Sequence, residues 1–287
     1  MKTLDFHVHY TGNAGQVDRF VADWRERGVE KAVLFAFNYA DGSFPTVDEI
    51  DKVAKRYPDF FIPFGYLNLG IHDCMAETRK AIERGFKGLK FIFPAKPYDE
   101  DEYFPIYEMA AKAGMVCLFH TGIVIGTSGG DYQNEYQRKW RVSSNYMRPA
   151  CLDRIARVFP EMTIVGAHLG GRAWYEEATQ VMYWNANVYF DLCIGQLHYV
   201  RRGIPEGQEQ RAIKPRMQQL YDEGQLNLSK VVFGSDAMMG KEGISPNWAM
   251  KTVQFELDAI GATEAEKAAV RWNTAAKILG IGESERG

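Results

Sequence analysis

With 287 residues the chain could form one large domain or two small ones, and its 46% hydrophobic and 25% charged residues suit a globular protein with a sizeable core. Lys and Arg number 34 against 37 Asp and Glu, a net charge of -3, and this near-balance argues against a nucleic-acid binder. No apolar run approaches the roughly 20 residues that cross a bilayer, and no basic-then-apolar leader precedes the first element. Cys74, Cys117, Cys151 and Cys193 show no C-x-x-C spacing, and Cys117 and Cys193 sit in apolar runs as small buried hydrophobes. The expectation is a cytoplasmic protein with reduced thiols, off the membrane.

Strands and helices alternate from the start. A strand over Thr3–His9 precedes a helix over Gln16–Arg27, where Val17, Phe20, Val21 and Trp24 fall at helical spacing and Gly28 is the stop. Lys31–Asn38 leads to a helix over Val47–Arg56, Phe61–Asn68 to Asp73–Arg84, and Gly88–Phe93 to Glu102–Lys112. Met115–His120 precedes Arg148–Val158, Thr163–His168 precedes Arg172–Trp184, and Val188–Leu192 precedes Gln210–Asp222. Lys230–Asp236 is the last strand, before helices over Pro246–Ile260 and Glu264–Leu279. The strands are near-continuously apolar, which suits parallel pairing with both faces covered. Repeated strand–helix units without a compositional break predict an α/β fold, a single (β/α)8 TIM barrel spanning residues 1–287.

Two connections, Thr121–Met147 and Ile194–Glu209, are too long for plain loops and follow strands, so they belong on the C-terminal face as lids or binding walls. The first carries Gly126, Gly129 and Gly130 with Tyr132, Tyr136, Trp140 and Tyr146. Its aromatic residues suit either the wall of a small flat substrate or a dimer contact. The glycines form no phosphate loop, since no G-K-[ST] follows them.

The chemistry concentrates at strand ends. His7 and His9 lie two apart on one strand and therefore project from one face, a spacing whose imidazoles suit a borderline metal such as zinc. The fifth strand closes on His120-Thr121-Gly122, the sixth on His168-Leu169-Gly170-Gly171, and the eighth on Gly234-Ser235-Asp236. Active sites of this fold are assembled from such ends. Four histidines and an aspartate buried together without a cation would each lose hydration with few partners. His72 and His198 read as loop or surface residues.

In their order these segments resemble the amidohydrolase superfamily, in its amidohydrolase-related branch, which includes aminocarboxymuconate-semialdehyde decarboxylase, resorcylate decarboxylase and lactone hydrolases. The likeness runs from Asp5–His9 through Gly88-Leu89-Lys90, Phe119–Gly122, Ala167–Gly171 and Gly234–Asp236 to Asn273-Thr274-Ala275-Ala276. It implies one divalent metal, zinc first and manganese as the alternative, bound by His7, His9, His120 and Asp236. His168 is implied beside the metal-bound water or substrate as acid/base, and Asp236 as the group that accepts the water's proton. Ser235 and Thr121 would give supporting hydrogen bonds. Lys90 stands where binuclear members carry a carboxylated lysine; the closer branch uses one metal, which leaves Lys90 as a substrate-anion contact or an inward charge. Arg172, Arg141 and Arg148 are candidates to grip a substrate carboxylate, with Tyr136 and Trp140 as walls.

The resemblance implies an enzyme acting on a small molecule, and relatives are often homodimers. Two reactions share this ligand set. One is hydrolysis of a small cyclic ester, lactone or amide by metal-activated water, and the other is nonoxidative decarboxylation of an aromatic or unsaturated acid. H-x-H in place of E-x-H on the first strand favours hydrolysis. A non-catalytic binding barrel would not need the intact ligand set, and a nuclease of the related type expects glutamate where Lys90 stands.

Overall fold

The computed structural model describes residues 2–38, 43–124, 135–193, 217–239 and 246–282, and for residues 135, 136 and 246–248 it describes the backbone alone. Tyr132, His198, the glycines at 126, 129 and 130, the Ile194–Glu209 connection, the start of the helix expected from Gln210 and the side chain of Tyr136 lie outside the described residues.

Parallel strands form a single sheet: β1 (Thr3–Tyr10), β2 (Val29–Ala36), β3 (Phe61–Leu67), β4 (Gly88–Phe91), β5 (Val116–Phe119), β6 (Ile164–Gly166), β7 (Val188–Cys193), β8 (Val231–Gly234) and β9 (Ala237–Met239). Their order is β8-β7-β6-β5-β4-β3-β2-β1-β9. β8 pairs with β7 and β9 pairs with β1, yet only Ser235 and Asp236 separate them. They are two halves of one interrupted eighth strand, and together they close the barrel. The expected continuous strand over Lys230–Asp236 is thus corrected: it breaks at Ser235-Asp236, where Asp236 takes a left-handed φ of 56°, and resumes beyond.

Each strand is followed by a helix, including α1 (Val17–Glu26), α2 (Val47–Arg56), α3 (Cys74–Glu83), α4 (Phe104–Lys112), α5 (Glu135–Lys139), α6 (Cys151–Val158) and α7 (Tyr175–Trp184). The apolar stripe read in α1 is the buried one, Val17, Phe20, Val21 and Trp24. The Thr46–Glu49 capping box starts α2 by satisfying donors at its first turn. Residues 217–222 and Pro246–Ala259 follow β7 and the eighth strand. The tail, expected as one helix over Glu264–Leu279, contains a π-helical turn at Ala269–Asn273 between two α-helical segments. No helix among the described residues is long and apolar enough to cross a membrane.

β1 is buried at every position. A register shift between Asp5 and Val8 interrupts the alternation along it: Asp5 meets Trp24 of α1 on the helix side, Phe6 packs against Phe64, and His7 and His9 share the face toward Asp236. The barrel interior therefore receives polar groups at the positions where an ordinary barrel would place branched aliphatics.

Candidate active site

Asp5 braces the wall on which the site is built. One carboxylate oxygen accepts from the backbone N–H of His7 at 3.1 Å and of Ser235 at 2.9 Å, and the other from Trp24 Nε1 at 2.9 Å. Burial raises its carboxyl to about 6 against the pull of those donors. Ser235 adds its hydroxyl, which donates to the His7 carbonyl at 3.3 Å and accepts from the Ala237 N–H at 3.1 Å. These bonds hold the strand break and thereby aim Asp236. Gly234 permits the close approach, for a Cβ there would stand 2.9 Å from His7 Cβ and 3.3 Å from Asp191 Cγ.

The ring nitrogens of the first-strand pair are sorted by their neighbours. His7 Nδ1 donates to Asp191 Oδ2 at 2.7 Å, and His9 Nδ1 donates to the Ala36 carbonyl at 2.9 Å. A carbonyl can only accept, so the proton of His9 is on Nδ1; the carboxylate places that of His7 likewise. Burial drives His7 well below its ordinary pKa, with Lys90 reinforcing the effect, so its ring is neutral. Each Nε2 then presents a lone pair. Both face Asp236 Oδ1, at 3.3 Å from His7 and 3.2 Å from His9. Burial acts to raise the Asp236 carboxyl, but His7, His9 and His168 outweigh it and hold it far below the usual range. Two ring nitrogens and a carboxylate oxygen thus converge, with the Lys90 ammonium 3.4 Å from His7 Nε2. The two separations from Asp236 Oδ1 are close to the roughly 3.3–3.4 Å edge of a tetrahedron around a cation with bonds of about 2.0–2.1 Å, whereas His9 and His120 belong to neither of the groups of described residues whose ligand atoms all lie within 4.8 Å of one another.

Across the barrel, His120 follows β5 directly and its Nδ1 lies 3.2 Å from His168 Nε2. His120 Nε2 and His168 Nδ1 are buried without a hydrogen-bond partner. An orphaned buried imidazole nitrogen costs about 1–3 kcal/mol, and a cation would relieve that cost, so the residues present fit a bound metal. Burial lowers both rings, His120 well below and His168 to about 4. His168, expected at the end of the sixth strand, lies past it, in a turn over Ala167–Gly170 where His168 and Leu169 have φ of 63° and 46°. Thr121 fastens that turn, its hydroxyl donating to the Ala167 carbonyl and accepting from the Gly170 N–H at 3.1 Å. Thr121 and Ser235 support the site through backbone and do not bond to the imidazoles in these contacts.

Asp191, which the sequence reading passed over, joins the two sides. Its Oδ2 holds His7, while Oδ1 accepts from the His168 N–H at 2.6 Å. Burial raises its carboxyl to about 6, opposed by His168 and Lys90. The available signal was a single carboxylate inside an otherwise apolar strand, Val188-Tyr189-Phe190-Asp191-Leu192-Cys193, since a buried charge demands partners. Cys193 is buried, as expected, and stands close to other donors. One ligand atom each from His7, Cys193 and Asp236 lie within 4.8 Å of one another, and the same holds for His168, Asp191 and Cys193.

Lys90 is fully buried, with Nζ 3.4 Å from His7 Nε2 and 5.2 Å from the centre of the Phe35 ring. Burial lowers its ammonium to about 8 against Asp191 and Asp236. The arginines lie outside this cluster of contacts. Arg141 and Arg172 are exposed, and Arg148 forms an ion pair with Glu177 and lies over Trp174. Trp140 is half-buried beneath the Lys139 ammonium. His72 lies in the β3–α3 connection, half-buried against Phe44.

A family profile described as amidohydrolase matches residues 5–281. No curated protein matches the chain by sequence. Among solved structures, an uncharacterised TIM-barrel protein from Bordetella bronchiseptica superposes with a TM-score of 0.66 at 16% identity, over 98% of this chain and 99% of that one. A probable 2-pyrone-4,6-dicarboxylic acid hydrolase from Acinetobacter baumannii, with citric acid bound, gives 0.65 at 13% identity, over 98% and 100%. A dihydroxybenzoic acid decarboxylase from Polaromonas, with bound manganese and the inhibitor 2-nitroresorcinol, gives 0.62 at 12%, over 99% and 98%. At such identities the likeness is one of fold, and it identifies the barrel as a TIM barrel.

Proposed function

The chain belongs to the amidohydrolase family, whose enzymes are metal-dependent, and from that premise we propose that His7, His9, His120 and Asp236 hold one divalent cation, zinc before manganese, at the centre of a hydrolase for a small carboxylated cyclic ester, lactone or amide. The observation that carries this reading is the convergence of two imidazole lone pairs on Asp236 Oδ1 at 3.3 and 3.2 Å. Two imidazole nitrogens facing a carboxylate oxygen are a donor set that a divalent cation would satisfy. When bound, such a cation polarises a carbonyl oxygen and brings the pKa of water down to about 7.

The chain's own groups divide the remaining work. The Asp236 side chain is 19% exposed, so its carboxylate can receive the proton of attacking water from the open side. His168, held by Thr121 and Asp191, passes a proton to the leaving oxygen at Nδ1, the ring atom without a partner. Lys90 is the inward charge that balances Asp191 and Asp236, in a one-metal site. Arg172, exposed and four residues after His168, is the substrate-carboxylate contact to test first; Arg148 is already engaged by Glu177. The hydrolase neighbour, described as acting on a pyrone dicarboxylate, supports this substrate class.

Decarboxylation of an aromatic or unsaturated acid is the second reading, supported by the manganese-bearing decarboxylase neighbour. It requires a proton delivered to carbon rather than to a leaving oxygen. Incubating the purified, metal-replete protein with carboxylated lactones and with phenolic acids separates the two. Proton release without CO2 is the expected result; CO2 release without ring opening would replace hydrolysis by decarboxylation.

A further inference from the structure

Cys193 ends β7, two residues beyond Asp191, so the two side chains leave the same face of the strand. Cys117 makes the contrast. It is also buried, but it belongs to neither ligand-bearing cluster, whereas Cys193 belongs to both. Three donors around one ion with bonds of about 2.0–2.3 Å stand roughly 3.3–4.0 Å apart. The His7, Cys193 and Asp236 donors, all within 4.8 Å of one another, therefore close on one ion with a shift of at most about 1 Å. His168 and Asp191 make the other cluster with the same cysteine, so the thiol stands between two groups of donors.

Resting on the reading of this site as a metal centre, we propose that Cys193 contributes a thiolate to it, giving a nitrogen, oxygen and sulfur donor set that selects zinc and other thiophilic ions over manganese and magnesium. On binding, a sulfur lone pair forms the metal–sulfur bond and the S–H proton leaves to solvent, with no change of oxidation state. Soft thiolate donors favour zinc, while manganese and magnesium favour carboxylate, carbonyl and water. The manganese-bearing neighbour is then the wrong guide to the ion here.

Cobalt(II) substitution of the full-length protein tests this by absorption spectroscopy. The native protein should show visible d–d bands together with a near-ultraviolet sulfur-to-cobalt charge-transfer band. Cys193→Ser should lose the charge-transfer band and keep the d–d bands, and Cys151→Ser on α6 should keep both. X-ray absorption of the native zinc protein, which needs no variant, should resolve one sulfur neighbour. Bands of d–d type with no charge transfer in native protein, or a zinc shell free of sulfur, would overturn the thiolate and leave the metal centre standing. No cobalt or zinc uptake at all would remove the metal centre, and the thiolate with it.

Discussion

The two walls of the barrel mouth are built to different degrees of completion. On the seam of β1 with the interrupted eighth strand, both Nδ1 atoms of the histidine pair have acceptors, and Asp5 and Ser235 bind the backbone beneath them. On the side of β5 and β6, His120 and His168 touch each other and leave one ring nitrogen each without a partner. The first wall is set by the fold alone, and the second is left incomplete, with a stability cost that a ligand can relieve. Burial of polar atoms is tolerable only when they are satisfied, so under the proposed reading the orphaned atoms lie where a bound cation would act.

Asp236→Asn strikes the first wall hardest, exchanging an acceptor for an amide. It should lower kcat/KM by about 10²–10⁴-fold and reduce the metal content found by elemental analysis; near-normal turnover would contradict Asp236 as ligand and base. Asp191→Asn removes the charge that fixes the His7 tautomer. Metal affinity, read by competition with a chelator, should fall about 10–100-fold, and an unchanged affinity would mean that the tautomer is set elsewhere.

Saturating zinc sharpens the contrast between the walls. At one hundred times its dissociation constant it should stabilise the fold by about 2.7 kcal/mol. Hydrogen exchange should slow most around His120 and in the Ala167–Gly170 turn, and slowing confined to β1 would reverse the comparison. Trp24→Phe leaves Asp5 Oδ2 short of its indole donor, at a cost of about 1–3 kcal/mol in denaturant unfolding. The smallest effect is expected from Thr46→Ala, which opens the α2 capping box far from either wall: about 1 kcal/mol of stability, with activity unchanged.

Much of this was readable without coordinates. Alternating apolar runs and helical stripes located β1 to β8 and the helices α1 to α4, α6 and α7, because those periods are local properties of the chain, whereas β9 and the short α5 were not read. The Val47–Arg56 helix was read to the residue, its cap and the following Pro58 both being close in sequence. The two-residue spacing of His7 and His9 implied a shared face for the same reason. His168 was misplaced onto the strand because its left-handed turn has no periodic signature.

By itself, then, the amino-acid order determined the repeating units, the barrel they make and the histidines that end its strands. Tertiary structure decided which carboxylate meets which ring. Asp191 reaches His7 across 184 positions of chain, and Asp5 catches Ser235 across 230, distances over which no local pattern carries information. The break that turns Asp236 toward the imidazoles exists only because the eighth strand must pair with β7 on one side and β1 on the other, and so it is a consequence of closing the barrel.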